Sequence, residues 1–158
     1  MKPDLAGMTP SQTVNAMIDR FDPAIAKTAR QALAVMRKLL PGAFELVADN
    51  YNALGIGFSS IEKSSGVVMS IVLYPRWVSL FFFDGALLAD PTKRLKGSGK
   101  VIRHIVLEKG AATLAEPDIK ALIRQAIAEA DPPLPRSGRR KVIILFVTAR
   151  QRSRRPSR

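Results

Sequence analysis

Apolar residues recur at helical spacing in three stretches of this chain and crowd into short, strand-length runs between them. Val14, Met17, Ile18 and Phe21 form the first stripe. Thr9-Pro10-Ser11-Gln12 precedes it, with Thr9 as a cap, Pro10 in the first turn and Gln12 completing a capping box. Asp22-Pro23 repeats the start signal, and Ile25, Ala29, Ala32, Leu33, Met36, Leu39 and Leu40 then fall on one side of a second helix. Lys27, Arg30, Arg37 and Lys38 occupy its other side, and the pattern stops before Pro41-Gly42. A third helix opens at Pro117, with Ile119, Leu122, Ile123, Ala126, Ile127 and Ala130 on one face.

Between the second and third helices the character changes. Leu54 to Ser59, Val67 to Tyr74, Trp77 to Phe83 and Lys100 to Leu107 are rich in Val, Ile and Phe and are separated by turn residues, so they read as strands. Phe44 to Val47 fits either a helical turn or a strand entry. The short gaps favour antiparallel pairing. Asp131 to Gly138 holds three prolines and serves as a stiff connector. Val142 to Val147 is a further apolar strand, which either completes the same sheet or pairs with another subunit. Gln151 to Arg158 is charged and reads as a disordered end. The pattern predicts an α+β fold, a mainly antiparallel sheet with helices packed on one face. It predicts one domain over residues 1–135, followed by a basic strand and tail over 136–158.

Composition adds limits. The chain has 158 residues and no cysteine, which excludes disulfides and thiolate metal sites. No signal-peptide core and no apolar run of membrane length is present, so a soluble, cytoplasmic protein is expected. The net charge is +12. Nine of the 25 basic residues and none of the 13 acidic ones lie from Arg136 onward, so that segment alone carries +9.

Candidate chemistry is concentrated between Tyr74 and His104. Tyr74-Pro75-Arg76-Trp77 leads into one apolar strand, and Lys96-Gly97-Ser98-Gly99-Lys100 leads into the next. The second motif fails as a phosphate-binding P-loop, because Arg94 and Val101 stand where Gly and Ser or Thr are required. Two readings remain: a turn with solvated lysines, or a turn whose backbone N–H groups and nearby Lys96, Lys100 and Arg103 bind an anion. Tyr51, Arg76, Trp77, Lys96, Ser98, Lys100 and Arg103 are therefore the candidate ligand-binding residues, for a small anion or an acidic group of a partner. Arg76 beside Trp77 also allows a cation–π contact. His104 is the only histidine; it reads as a packed or edge-strand residue, since no catalytic partner set surrounds it. No catalytic constellation emerges, and a non-enzymatic role is expected. Arg150, Arg152, Arg154, Arg155 and Arg158 are candidate polyanion contacts. No aromatic residues are interleaved with them to stack on bases, so nucleic-acid binding there would be blind to sequence. The alternative is a solvated tail.

Several segments resemble the YdhG-like domain family. They include Pro41-Gly42-Ala43-Phe44-Glu45, Asp49-Asn50-Tyr51-Asn52, Leu73-Tyr74-Pro75-Arg76-Trp77-Val78, Phe83-Asp84-Gly85-Ala86, Asp90-Pro91, Leu95 to Lys100 and Ile102-Arg103-His104-Ile105. The resemblance spans Pro41 to Ala130. It implies a compact α+β fold similar to frataxin, and some relatives are described as frataxin-like iron chaperones. Frataxin-like iron binding relies on an acidic ridge along the first helix and sheet edge. Here the second helix is basic on its exposed side, and the first offers only Asp19 and Asp22. No cofactor is expected from the residues themselves, and iron enters only through the resemblance. The expectation is a small binding domain, monomeric or homodimeric, without membrane association. The alternatives are an iron chaperone or a non-specific nucleic-acid binder acting through the tail.

Overall fold

A computed structural model describes residues 7–156. Arg158 and residues 1–6 lie outside the described part. The elements are α1 (Pro10–Asp19), α2 (Pro23–Leu39), β1 (Phe44–Asp49), β2 (Leu54–Ser59), β3 (Val67–Leu73), β4 (Val78–Phe82), β5 (Arg103–Val106), α3 (Pro117–Glu129) and β6 (Lys141–Val147). Thr9 and Gln12 close the capping box that the sequence predicts, through Thr9 N to Gln12 Oε1 at 2.9 Å and Gln12 N to Thr9 Oγ1 at 3.2 Å. The second start signal works differently. Asp22 makes no side-chain capping bond and instead faces Arg155 at 3.8 Å. The ambiguous stretch at Phe44 is a strand, and the stretch from Lys100 pairs only from Arg103 onward.

The fold is α+β. Six strands form one mixed sheet in the order β5-β4-β3-β2-β1-β6. Every pairing is antiparallel except β1 with β6. The chain leaves β5 at one edge, crosses through α3 and returns at the opposite edge as β6. The last strand therefore completes the chain's own sheet, which resolves the alternative left open by its sequence.

One row of partners, Ile144, Val47, Ile56, Ile71, Leu80 and Ile105, runs across all six strands. It faces the helices and joins Leu33, Met36, Ile119 and Ile123 in a single core. Burial of this apolar surface is the main driving force for the fold. Among the described residues no helix is long and apolar enough to cross a membrane.

The helix side of β1 also carries two carboxylates. Glu45 and Asp49 are 1% and 2% exposed, and a buried carboxylate needs charged partners. Arg37 of α2 supplies them to Glu45 in a bidentate pair, with Nε 3.0 Å from Oε2 and Nη2 2.9 Å from Oε1. Asp49 is met by Arg154, whose Nη2 lies 2.6 Å from Oδ1, and by Arg20 at 4.0 Å. Arg154 is itself only 3% exposed, and its guanidinium lies 5.7 Å over the ring of Phe21.

This overturns the expectation of a disordered end. Gln151 to Pro156 folds back over the end of β1 because the Asp49 carboxylate draws Arg154 inward. Gln151 adds a bond from Nε2 to the Asp49 carbonyl at 3.1 Å and accepts one from Arg20 at 2.6 Å.

Candidate functional site

Helices cover only one face of the sheet. On the other face, two adjacent rows are left uncovered by helices. One is Leu46, Gly57, Ser70, Phe81 and His104; the next is Ala48, Gly55, Val72, Ser79 and Val106. The first row is small in the middle, at Gly57 and Ser70, and larger toward the sides, while the second is small at Ala48 and Gly55. The strands thus form a groove of about 500 Å³. Ala48, Gly55, Gly57 and Ser70 make its floor, and Tyr51, Tyr74, Phe81, Phe83 and Phe146 rise around it. No charged residue lines it among the described residues. Its volume falls in the range of small-molecule sites, roughly 300–1,000 Å³.

The two floor glycines differ in what they exclude. A Cβ on Gly57 would fall 2.9 Å from Cγ1 of Val67, so packing demands a glycine there. A Cβ on Gly55 would meet nothing nearer than the Ala48 carbonyl at 3.8 Å. Gly55 does not have a positive φ either. A strand interior favours almost any other residue over glycine, and glycine there often marks close approach by a ligand or backbone. The missing side chain at Gly55 keeps the groove deep.

The rim is built by turns. Asn50 forms an Asx turn, accepting from Asn52 N at 3.1 Å and Ala53 N at 2.9 Å, and this turn holds Tyr51 at the groove's end. The C-terminal segment grips the same turn. Arg154 donates to the carbonyls of Asn50 at 2.6 Å and Tyr51 at 3.3 Å, and Arg152 N donates to Tyr51 O at 2.9 Å. In the β3–β4 turn, at the same end of the sheet, Tyr74 stacks on Trp77 with ring centroids 4.8 Å apart. Burial raises the pKa of the Tyr74 phenol, so it stays neutral at physiological pH. On the far side Phe81 stacks on His104 at 5.0 Å. Desolvation lowers the His104 pKa, which favours the neutral imidazole.

The seven residues that the sequence grouped as one ligand site are split. Tyr51, Arg76 and Trp77 lie in the β1–β2 and β3–β4 turns, at one end of the sheet. Lys96, Ser98, Lys100 and Arg103 lie at the other, because Arg103 pairs with Phe82 at the far end of β4. Four residue steps of strand, roughly 13 Å, separate the two groups. A single anion pocket is not formed. Arg103 is also engaged, donating from Nη1 to Gly99 O at 2.6 Å and Ile102 O at 2.8 Å, which closes its own loop. Lys96, Ser98 and Lys100 are exposed.

The rest of that loop is held by charge. Arg94 bonds Glu116 and Asp118, each at 2.7 Å. Hydrogen bonding from Arg94 keeps both carboxyls below their ordinary pKa, and the same bonds raise that of Arg94. Of the tail arginines, Arg154 is buried on Asp49 and unavailable to a polyanion. Arg155 donates to the Arg20 carbonyl at 3.2 Å, while Arg150 and Arg152 are exposed. Among the described residues no group of three or more His, Asp or Glu is placed to hold a metal ion.

The groove floor escaped the sequence reading. Its signal was Gly55 and Gly57 alternating within one strand pattern. Compared with protein-family models, curated proteins and solved structures, the chain matches none.

Proposed function

We propose that this protein is a non-enzymatic binding domain whose ligand lies in the groove on the open face of the sheet. The ligand is a flat, mainly apolar molecule with polar ends, rather than a small anion. Gly55 carries this reading: it keeps open a space that neither backbone conformation nor packing requires. The rings of Tyr51, Tyr74 and Phe81 offer faces for stacking. Asn50 and Asn52 offer hydrogen bonds at one end, and Ser64 and Ser70 lie along the lining. Kinship with the YdhG-like family belongs to this proposal and rests on the motif residues alone.

Trp77 is the only tryptophan, and it stacks on Tyr74 of the groove wall. Its fluorescence is therefore the readout. Naphthalene- and indole-type compounds, medium-chain fatty acids, inorganic phosphate and nucleotides are titrated against the wild type and Gly55→Leu. Saturable binding of an aromatic or acyl compound that weakens at least about tenfold in Gly55→Leu supports the groove. Binding of phosphate or nucleotide that persists in Gly55→Leu and disappears in Arg103→Ala or Arg76→Ala returns the function to the sheet's ends and refutes it.

A further inference from the structure

We propose that the free edge of β6 is a docking edge for an extended, apolar segment of a partner protein that carries acidic residues at both ends. β6 pairs on one side only, with β1. Its sequence, Lys141-Val142-Ile143-Ile144-Leu145-Phe146-Val147, is apolar at every position but the first, yet none of these residues is buried. Leu145, Phe146 and Val147 are 37%, 48% and 40% exposed. A long apolar edge with unpaired backbone groups is a template for another strand.

The opposite edge is managed differently. β5 has only four residues, and the loop before it caps its backbone through Lys96 N to His104 O at 2.8 Å and His104 N to Lys96 O at 2.9 Å.

Charge selects the occupant. Arg139 before β6, and Arg150 and Arg152 after it, pair with no carboxylate among the described residues, unlike Arg140, Lys141, Arg154 and Arg155. A second copy pairing antiparallel across a two-fold axis would set Arg139 of one chain beside Arg150 of the other, cation against cation at both ends. A lipid surface would satisfy the cations and the apolar side chains but leave the backbone edge without hydrogen bonds, which is costly in an apolar medium. An added strand with acidic ends satisfies all three features, main chain, apolar side chains and flanking cations.

The probe is a synthetic, end-capped peptide of alternating valine and threonine, about seven residues long to match β6, with two glutamates at each end. Binding to the full chain is read by fluorescence anisotropy. The expected result has three parts. The glutamate peptide binds, and its backbone N-methylated form and a lysine-flanked form bind at least about tenfold more weakly. The double variant Arg139→Glu with Arg150→Glu, both on exposed side chains, reverses the charge preference. Gly55→Leu leaves peptide binding unchanged, so this test and that of the groove fail separately. Equal binding of the N-methylated peptide overturns the proposal, because attraction would then be charge alone. So does a dimer in sedimentation that Arg150→Glu alone strengthens, since that change would turn the contact with Arg139 of a second copy from repulsive to attractive and so identify the second copy as the occupant. Binding to phosphatidylcholine vesicles with phosphatidylserine, without binding to the peptide, overturns it in favour of a membrane surface.

Discussion

The two faces of the sheet are made from the same strands and do opposite things. Toward the helices, consecutive strands carry Ile56, Ile71 and Leu80, closed off from water, and even two carboxylates are admitted because each meets an arginine. Away from the helices, the same strands carry Gly55, Gly57, Ser70 and Phe81 and leave a groove. The difference teaches that stability and binding are assigned by strand parity: odd and even positions of β2 and β3 belong to different tasks. A substitution on one face is expected to cost stability, and one on the other to change binding.

The sharpest way to break the contrast is to unpair a buried charge on the covered face. Asp49→Ala leaves Arg154 buried with no counter-ion and is expected to cost about 3–5 kcal/mol in urea unfolding, with Arg154→Ala of similar size. A loss under about 1 kcal/mol for both would mean the C-terminal segment is not anchored as described. Next come neighbours in β3. Ile71→Ala, on the covered face, is expected to lose about 2–5 kcal/mol by the same assay. Val72→Ala, one residue on and half-buried in the open row, should lose under about 1.5 kcal/mol. Equal losses would erase the distinction between the faces. Gly55→Val then tests the groove from the stability side. Filling a spacious strand position should leave the thermal midpoint unchanged or raise stability by about 0.5–1 kcal/mol, while ligand binding falls.

The smallest effect is a pH dependence from His104. Its folded pKa lies below the ordinary value of 6.5 because desolvation disfavours the cation. The unfolded chain therefore binds the proton first as pH falls. The His104 contribution is whole above about pH 6.5 and is lost as pH drops from there through the folded pKa. Wild type minus His104→Gln, measured by unfolding across pH 5 to 8, should show this slope; a flat difference would mean the Phe81 stack does not desolvate the ring.

Much of this architecture was legible in the chain. The capping box at Thr9, the three helical stripes and the strands from Leu54 to Phe83 rest on local signals, which need only neighbours a few residues away. The position of Arg154 was not legible, since composition makes an arginine-rich end read as solvated. Only the carboxylate of Asp49, 105 residues earlier in the chain, draws it in. The anion pocket was misread for a related reason: Arg76 leads into β4 and Arg103 begins β5, and because these strands pair antiparallel their starts lie at opposite ends of the sheet.

The sequence by itself determined the α+β class, the amphipathic helices and the concentration of positive charge after Arg136, because hydrophobic period, capping and charge are properties of short segments. Tertiary structure alone decided that β6 lies parallel to β1 at the far edge, that Gly55 opens onto a groove, and that the last arginines divide between a buried clamp and free flanks. Each of these depends on which distant strand becomes a neighbour, and strand register is a property of the assembled sheet.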